Sequence, residues 1–137
     1  MFQLLCRLLL CVGVALLFAG CANEPPTGMI TGEVTMDGQP LEDGRIQFTP
    51  LDGQSQPGGA TVAQGKFTAK VPVTKMKVEI NGNKRTGRKI KAYDTPESPL
   101  MDEIVELVPP KYNINSDVTL DVKPGPQEVK YELKSTK

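Results

Sequence analysis

Carboxylates and cations make up most of the side chains in this 137-residue sequence that could do chemistry. Histidine is absent, which removes the Ser-His-Asp triad, the imidazole general base and the imidazole ligand of zinc. A group of acidic residues could in principle line a hydrolase cleft or hold calcium: Asp94, Glu97, Asp102, Glu103 and Glu106. Their spacing matches no calcium loop, and positions 94–99 are typical of a solvated loop. We therefore expect no catalytic residue, no metal site and no cofactor.

A basic cluster precedes this acidic stretch. It consists of Lys84, Arg85, Arg88, Lys89 and Lys91. One hypothesis is a patch for anionic lipid headgroups or a polyanionic polymer, to which each cation near the surface would contribute. The alternative is a solvated strand extension whose charge is offset by the acidic residues that follow, in pairs that stabilise little at a surface. Nucleic acid is not an expected partner, because only Tyr93 lies near as a stacking ring.

Lys111-Tyr112-Asn113 is a second candidate contact site. An aromatic face beside an amide is a combination that binds sugars, so Tyr112 and Asn113 are predicted as ligand contacts. The alternative is structural, because a tyrosine in such a loop often closes one end of a β-sandwich.

The beginning of the chain is typical of a secretion signal. Arg7 precedes an apolar run from Leu8 to Phe18, and the small residues Ala19 and Gly20 follow it. The run is too short for a transmembrane helix, which needs roughly 20 apolar residues, and two prolines at positions 25 and 26 end it.

Phe18-Ala19-Gly20-Cys21 resembles the lipobox of bacterial lipoproteins, with Phe18 where leucine is usual. The resemblance implies cleavage between Gly20 and Cys21, acylation of Cys21, and a periplasm-facing protein anchored by lipid to the cell membrane or outer membrane. Ala22 stands where an inner-membrane retention signal has aspartate, which favours the outer membrane. The alternative is an ordinary secreted protein cut near Gly20.

Processing would leave one domain without a disulfide. Cys6 and Cys11 leave with residues 1–20, and Cys21 becomes the anchor. We interpret residues 21–28 as the lipidated cysteine and a short tether, and residues 29–135 as the folded domain. Loss of Arg7 also leaves one more acidic than basic residue, so overall charge favours no polyanionic partner.

From Met29 onward the apolar residues recur with period two, which predicts strands that bury one face. Asp37-Gly38 and Gln64-Gly65 have the composition of tight hairpin turns, and one strand is expected to end at Asn81-Gly82. The predicted inward residues are Ile30, Val34, Met36, Ile46, Phe48, Ala60, Val62, Phe67, Ala69, Val71, Met76, Val78, Ile80, Val118, Leu120, Val122, Val129, Tyr131 and Leu133. With a weaker strand at 104–108, this pattern predicts an all-β sandwich of about seven strands.

Positions 32–41 (GEVTMDGQPL), positions 44–50 (GRIQFTP) and Gly65-Lys66-Phe67 form a series of strand and turn motifs. They resemble the opening pattern and the return strand of carboxypeptidase-regulatory-like, transthyretin-like domains. Positions 71–78 follow the next strand except at Thr74 and Met76, and 109–122 match a later segment. The resemblance implies an Ig-like or transthyretin-like β-sandwich that acts as a non-catalytic accessory module.

Together these patterns predict an envelope-anchored lipoprotein that binds a protein or carbohydrate, or has a structural role, without turnover. Two alternatives stay open. One is an envelope hydrolase that uses the acidic stretch 94–106, and the other is a subunit of an envelope complex joined by sheet-edge pairing.

Overall fold

The computed structural model describes residues 24–136, and β-strands carry nearly all of the regular structure there. The strands are β1 (Thr27–Met36), β2 (Gln39–Pro40), β3 (Asp43–Pro50), β4 (Gly58–Ala63), β5 (Lys66–Pro72), β6 (Lys75–Lys91), β7 (Leu100–Glu106), β8 (Thr119–Asp121) and β9 (Gly125–Leu133). The only helical element in this range is a 3-10 turn at Pro110–Tyr112. No helix among these residues is long and apolar enough to cross a membrane. The predicted all-β class is confirmed, whereas the predicted signal (1–20) and Cys21 lie outside the described residues.

The strands form one curled sheet. Its neighbours follow the order β2-β1-β5-β4-β3-β6-β7, with β8 beside β6 and β9 parallel to β1. Strands β4 and β5 share a single residue pair, Ala63 with Lys66, so the sheet turns sharply at this corner. The rings of Phe48 on β3 and Phe67 on β5 consequently approach to 6.2 Å between centroids. The curl brings the apolar faces of the two ends of the sheet together.

One apolar core lies between these faces. It consists of Ile30, Val34, Met36, Leu41, Ile46, Phe48, Val62, Phe67, Ala69, Val71, Met76, Val78, Ile80, Val108, Val122 and Leu133. The inward faces predicted for β1, β3, β5 and the first half of β6 are confirmed, while the inward residues Val129 and Tyr131 of β9 are half-buried. Burial of each large side chain stabilises the fold by about 1.5–3 kcal/mol, which suits a domain with no cysteine among its described residues.

The two predicted hairpin turns are also confirmed. Asp37 (φ 49°) and Gly38 (φ 84°) join β1 to β2, and Gln64 (φ 50°) and Gly65 (φ 77°) join β4 to β5. Two successive residues with positive φ give the backbone twist that matches a right-handed strand pair. These turns fix the register of the strands on either side.

The curled sheet has two ends, which we call the tether pole and the distal pole. β1 begins at Thr27, inside the segment predicted as tether, and Thr27 pairs with Pro72 at the end of β5. The Val73 N–H donates to the Pro26 carbonyl at 2.9 Å, and β6 begins two residues later at Lys75. The chain therefore enters the sheet at the tether pole, and β6 runs from there to the distal pole.

Strand β6 corrects the prediction that a strand ends at Asn81-Gly82. It continues to Lys91, and β7 runs back beside its second half from Leu100 to Glu106. The weaker strand was predicted at 104–108, so β7 begins earlier than expected. Asn-Gly is a turn signal only where the chain reverses, and here backbone pairing with β3 and then β7 keeps Asn81 and Gly82 extended.

Candidate functional site

The most distinctive feature of the molecule is a two-stranded ribbon that projects beyond the distal pole. We call residues Asn83–Glu106 the arm. β3 accompanies β6 only as far as Gly82, and from Asn83 onward the partner of β6 is β7. Every residue of β6 from Asn83 to Lys91 is exposed, so no core supports this part of the strand. The arm carries all five residues of the predicted basic patch and all five of the acidic stretch.

A bulge interrupts the middle of the arm. Arg85 pairs with Ile104 and Lys89 with Asp102, so β6 has three residues between these pairs where β7 has one. Gly87 has φ 80° there, a conformation that costs glycine nothing and strains other residues. The bulge brings Thr86 and Arg88 to the same carboxylate, that of Glu103.

The arm has two faces, which follow from the strand register because directly opposed residues share a face. The outer face holds Asn83, Arg85, Lys89, Lys91, Leu100, Asp102, Ile104 and Glu106. The inner face holds Lys84, Ile90, Met101, Glu103 and Val105. The Asn81 amide donates to the Glu106 carboxylate at 3.3 Å, which joins the outer face of the arm to the solvent-facing side of β6.

Three of the five basic residues are paired with carboxylates of the arm itself. Lys89 lies 2.5 Å and Arg85 3.6 Å from Asp102, and Arg88 lies 2.5 Å from Glu103. In the described part of the chain Lys84 and Lys91 have no carboxylate within 4.0 Å. The arm as a whole has five basic and five acidic residues, so a net positive patch does not form.

Hydrogen bonds and ion pairs favour the ionised form of two carboxyl groups of the arm, Asp102 and Glu103. A hydrogen bond from Lys89, together with its charge, lowers the pKa of Asp102, and hydrogen bonds from Thr86 and Arg88 lower the pKa of Glu103. The Glu106 carboxylate accepts hydrogen bonds from the backbone of Gly82 (2.8 Å) and Val108 (2.9 Å). A general acid needs a raised pKa, so the arrangement of Asp102 and Glu103 opposes that role.

No cluster of three or more candidate ligands for a metal ion occurs among residues 24–136. Asp94 and Glu97 lie in the exposed loop at the tip of the arm, where a loop is predicted at 94–99. They are separate from the paired carboxylates of β7. The acidic stretch is therefore distributed along a ribbon and does not converge on one point.

Tyr112 and Asn113, the predicted ligand contacts, are both engaged within the chain. Asn113 is 6% exposed, and its amide donates to the Val108 carbonyl at 3.1 Å and accepts from the Ile114 N–H. The Tyr112 hydroxyl accepts from the Lys134 N–H at 3.2 Å. The ammonium of Lys111 lies over one face of the Tyr112 ring, 4.8 Å from its centroid. This geometry fits the structural alternative, in which Tyr112 and Asn113 close the distal pole.

An open cleft of about 630 Å³ lies beside Asn113 at the foot of the arm. Its apolar lining includes Leu107, Pro109 and Ile114, and Ile114 is 74% exposed. Two of its polar side chains are engaged within the chain, because Glu106 accepts from the backbone N–H groups of Gly82 and Val108, and Asn113 bonds to the backbone of Val108 and Ile114. The lining also includes the hydroxyl-bearing residues Ser135 and Thr136.

Exposed apolar side chains, by contrast, are concentrated on the arm. Six of the ten exposed large apolar side chains among the described residues lie there: Ile90 (39%), Tyr93 (70%), Leu100 (65%), Met101 (47%), Ile104 (52%) and Val105 (40%). The sequence contained a signal for this arrangement, because apolar residues and opposite charges occur at matching distances on either side of the loop at 92–99. The period-two pattern predicts only a weaker strand at 104–108, so it does not reveal the apolar surface of the arm.

Comparison of the chain with protein-family models, curated proteins and solved structures finds no match.

Proposed function

We propose that this chain is a lipid-anchored, periplasm-facing lipoprotein whose domain, an Ig-like or transthyretin-like β-sandwich, serves as a non-catalytic binding or structural module. The ligand class is a protein or carbohydrate of the cell envelope. The observation that carries the proposal is the position of the arm, which projects from the pole opposite the chain entry at Thr27. An anchor at Cys21 would hold the tether pole near the membrane and present the arm to the periplasm.

The distances support this orientation. The six residues from Cys21 to Thr27 span at most about 20 Å when extended. Strand β6 has 17 residues and is roughly 55 Å long at about 3.3 Å per residue. The tip of the arm therefore lies well outside the headgroup layer of its own membrane. This favours a partner in the periplasm over the anionic headgroups considered from sequence.

Acylation of Cys21 is the first test. In a bacterial host fed a labelled fatty acid, the native chain and a Cys11→Ser control should incorporate label, and Cys21→Ser should not. Mass spectrometry of the mature protein should show Cys21 as a modified first residue. An unmodified cysteine at that position would refute the anchor.

The second test asks whether the arm is the binding element. Asn83 and Glu106 are a cross-strand pair, so replacing residues 84–105 by Asn-Gly closes a tight hairpin at the distal pole. Chemical cross-linking in intact cells should give adducts with the native chain that the armless chain lacks. A chain shortened in the exposed loop at 52–56, at the tether pole, is the matched control and should keep them. Equal adducts from the armless chain would refute a role for the arm.

The free edge of β7 favours a second candidate, a subunit of an envelope complex joined through a strand. In the described residues β7 pairs with β6 alone, so its other edge has unpaired backbone groups. The backbone hydrogen bonds from Leu107 to Gly82 and from Ala92 to Pro99 fix the alternation of the ladder, and they leave the N–H groups of Leu100 and Ile104 on the free edge. Proline at position 100 or 104 would remove one of these donors, and a complex built on this edge should then dissociate.

The envelope hydrolase has no comparable support. Its candidate carboxylates Asp102 and Glu103 are ion-paired and ionised on an exposed ribbon. Alanine at both positions should leave any hydrolytic activity of the purified protein unchanged.

A further inference from the structure

The outer face of the arm has a charge pattern that is complementary to itself. Across the two strands Lys89 opposes Asp102, Lys91 opposes Leu100, and Arg85 opposes Ile104. Each of these cross-strand pairs thus has a cation on β6 and a carboxylate or an apolar side chain on β7. None of them places two like charges opposite each other.

Two copies related by a two-fold axis parallel to the strands would bring these outer faces into contact. When two such faces pack together about that axis, β6 of one copy lies over β7 of the other at the same height. Lys89 then faces Asp102 of the second copy, and the reciprocal contact forms at the same level. Leu100 and Ile104 are covered by the aliphatic stems of Lys91 and Arg85, which keep their charges in water.

The outer face is open to a second copy, whereas the inner face is obstructed in a parallel arrangement. The inner face continues the core-facing side of β6, so the half of the curled sheet built from β1, β5 and β9 lies below it. A second molecule aligned in parallel on that side would overlap this half. Packing through the outer face places the two bodies back to back.

We propose that two copies of this chain associate in parallel through the outer faces of their arms. The inference rests on the proposed function for its orientation, because parallel packing leaves both tether poles on one side, as two anchors in one membrane require. The contact is small, and exposed ion pairs contribute little, so association in dilute solution is weak. Confinement to a membrane raises the effective concentration and favours the pair.

A charge exchange tests the contact directly. Lys89→Asp and Asp102→Lys chains, carrying donor or acceptor fluorophores on a tag after Lys137, are placed in vesicles of phosphatidylethanolamine and phosphatidylglycerol. Each variant alone should need at least about tenfold higher surface density than the native chain for half-maximal energy transfer, because like charges meet. Mixing the two variants should restore transfer to the native level, since the carboxylate introduced at position 89 of one copy then faces the ammonium introduced at position 102 of the other.

Matched controls separate the two faces. Leu100→Ser with Ile104→Ser should weaken pairing, and Met101→Ser with Val105→Ser, on the inner face, should not. Lys84→Asp changes net charge as much as Lys89→Asp but lies on the inner face, and it should also leave pairing intact. Circular dichroism of each chain checks that the sheet is formed.

Repeating the exchange with Cys21→Ser chains in solution, at protein concentrations high enough for weak association, separates this inference from the anchor. Restoration by mixing there supports the arm contact even if Cys21 carries no lipid. The inference would be overturned if the native chain showed no energy transfer at any surface density. It would also be overturned if the native chain, the single variants and their mixture all gave the same energy transfer.

Discussion

Asn113 holds the segment that closes the distal pole. Its buried amide bridges the Val108 carbonyl and the Ile114 N–H, so a ligand at this residue would have to break both bonds. The neighbouring Ser116 makes a similar buried contact, donating from its hydroxyl to the Val78 carbonyl at 2.5 Å. The pattern Lys111-Tyr112-Asn113 is therefore better explained by packing than by recognition.

Asn113→Ala should lower the free energy of unfolding by about 1–3 kcal/mol, because it leaves a buried carbonyl without its donor. Chemical denaturation monitored by circular dichroism would measure this. Asn115→Ala, at an exposed position two residues later, should change stability by less than about 0.5 kcal/mol. Equal effects of the two substitutions would contradict the structural role of Asn113.

The lowered pKa values of Asp102 and Glu103 predict that acid loosens the arm first. A carboxylate whose pKa is lower in the folded state adds stability above its unfolded pKa, and loses it as pH falls through the folded value. We therefore expect the arm to be fully ordered at pH 7 and to lose order below about pH 4. Amide hydrogen exchange along β6 and β7 against pH would show this.

Lys89 is the main cause of the shift at Asp102, so Lys89→Met should raise the pKa of that carboxyl. Lys84→Met removes a cation that has no carboxylate within 4.0 Å among the described residues, and it should leave the pKa of Asp102 unchanged. Carboxyl chemical shifts followed through an acid titration distinguish the two outcomes.

At the scale of elements, the arm and the body of the sheet differ in what holds them together. The body has a core that joins both halves of the curled sheet, whereas the arm has only ladder hydrogen bonds, cross-strand pairs and a glycine bulge. A two-stranded ribbon of this kind is marginally stable on its own. We expect the two parts to respond separately to substitution.

Two glycines make this separation measurable. Gly87→Ala places a side chain at φ 80° in the bulge and should raise hydrogen exchange in the arm, with little change in the global unfolding midpoint. In Gly82→Ala the added Cβ would lie 2.6 Å from Leu41 and 2.9 Å from Val108, so the body itself should lose stability. A large fall in the midpoint from Gly87→Ala would mean that arm and body unfold together.

The period-two pattern was sufficient to predict the buried faces of β1, β3, β5 and the start of β6, because each of these strands has one face packed in the core and the other in water. It failed beyond Gly82, where both faces meet water and the alternation of apolar and polar residues disappears. The parallel pairing of β1 with β9 could not be predicted from the sequence either, because the period-two pattern identifies which face of a strand is buried and not which strands lie beside it. At the candidate site, the sequence shows which residues of the arm carry charge, but their cross-strand pairing depends on a bulge that no local pattern specifies.

At the scale of the whole molecule, the two poles define a direction. Thr27 and the turn at Val73 lie at one end, and the arm extends from the other along β6. Cysteines introduced at Thr95 and Lys123 sample the two ends at exposed positions, in a mature chain whose natural Cys21 would be blocked by lipid.

A fluorophore at position 123 should therefore be quenched by headgroup quenchers in vesicles, and one at position 95 should not, because roughly 55 Å of β6 separates the tether pole from the end of the arm. Adding Cys21→Ser should abolish quenching at position 123. Strong quenching at position 95 in the acylated chain would mean that the arm lies on the membrane.

The parallel pairing of β1 with β9 has a consequence for how the chain reaches its folded state. Gly28 pairs with Gly125 and Met36 with Leu133, so the strand made first completes its hydrogen bonds only with one made nearly a domain later. Contacts so distant in sequence slow folding. A partly synthesised chain has no complete sheet to form. If the chain is exported as we propose, it would therefore stay unfolded enough to pass through a secretion channel until β9 has followed.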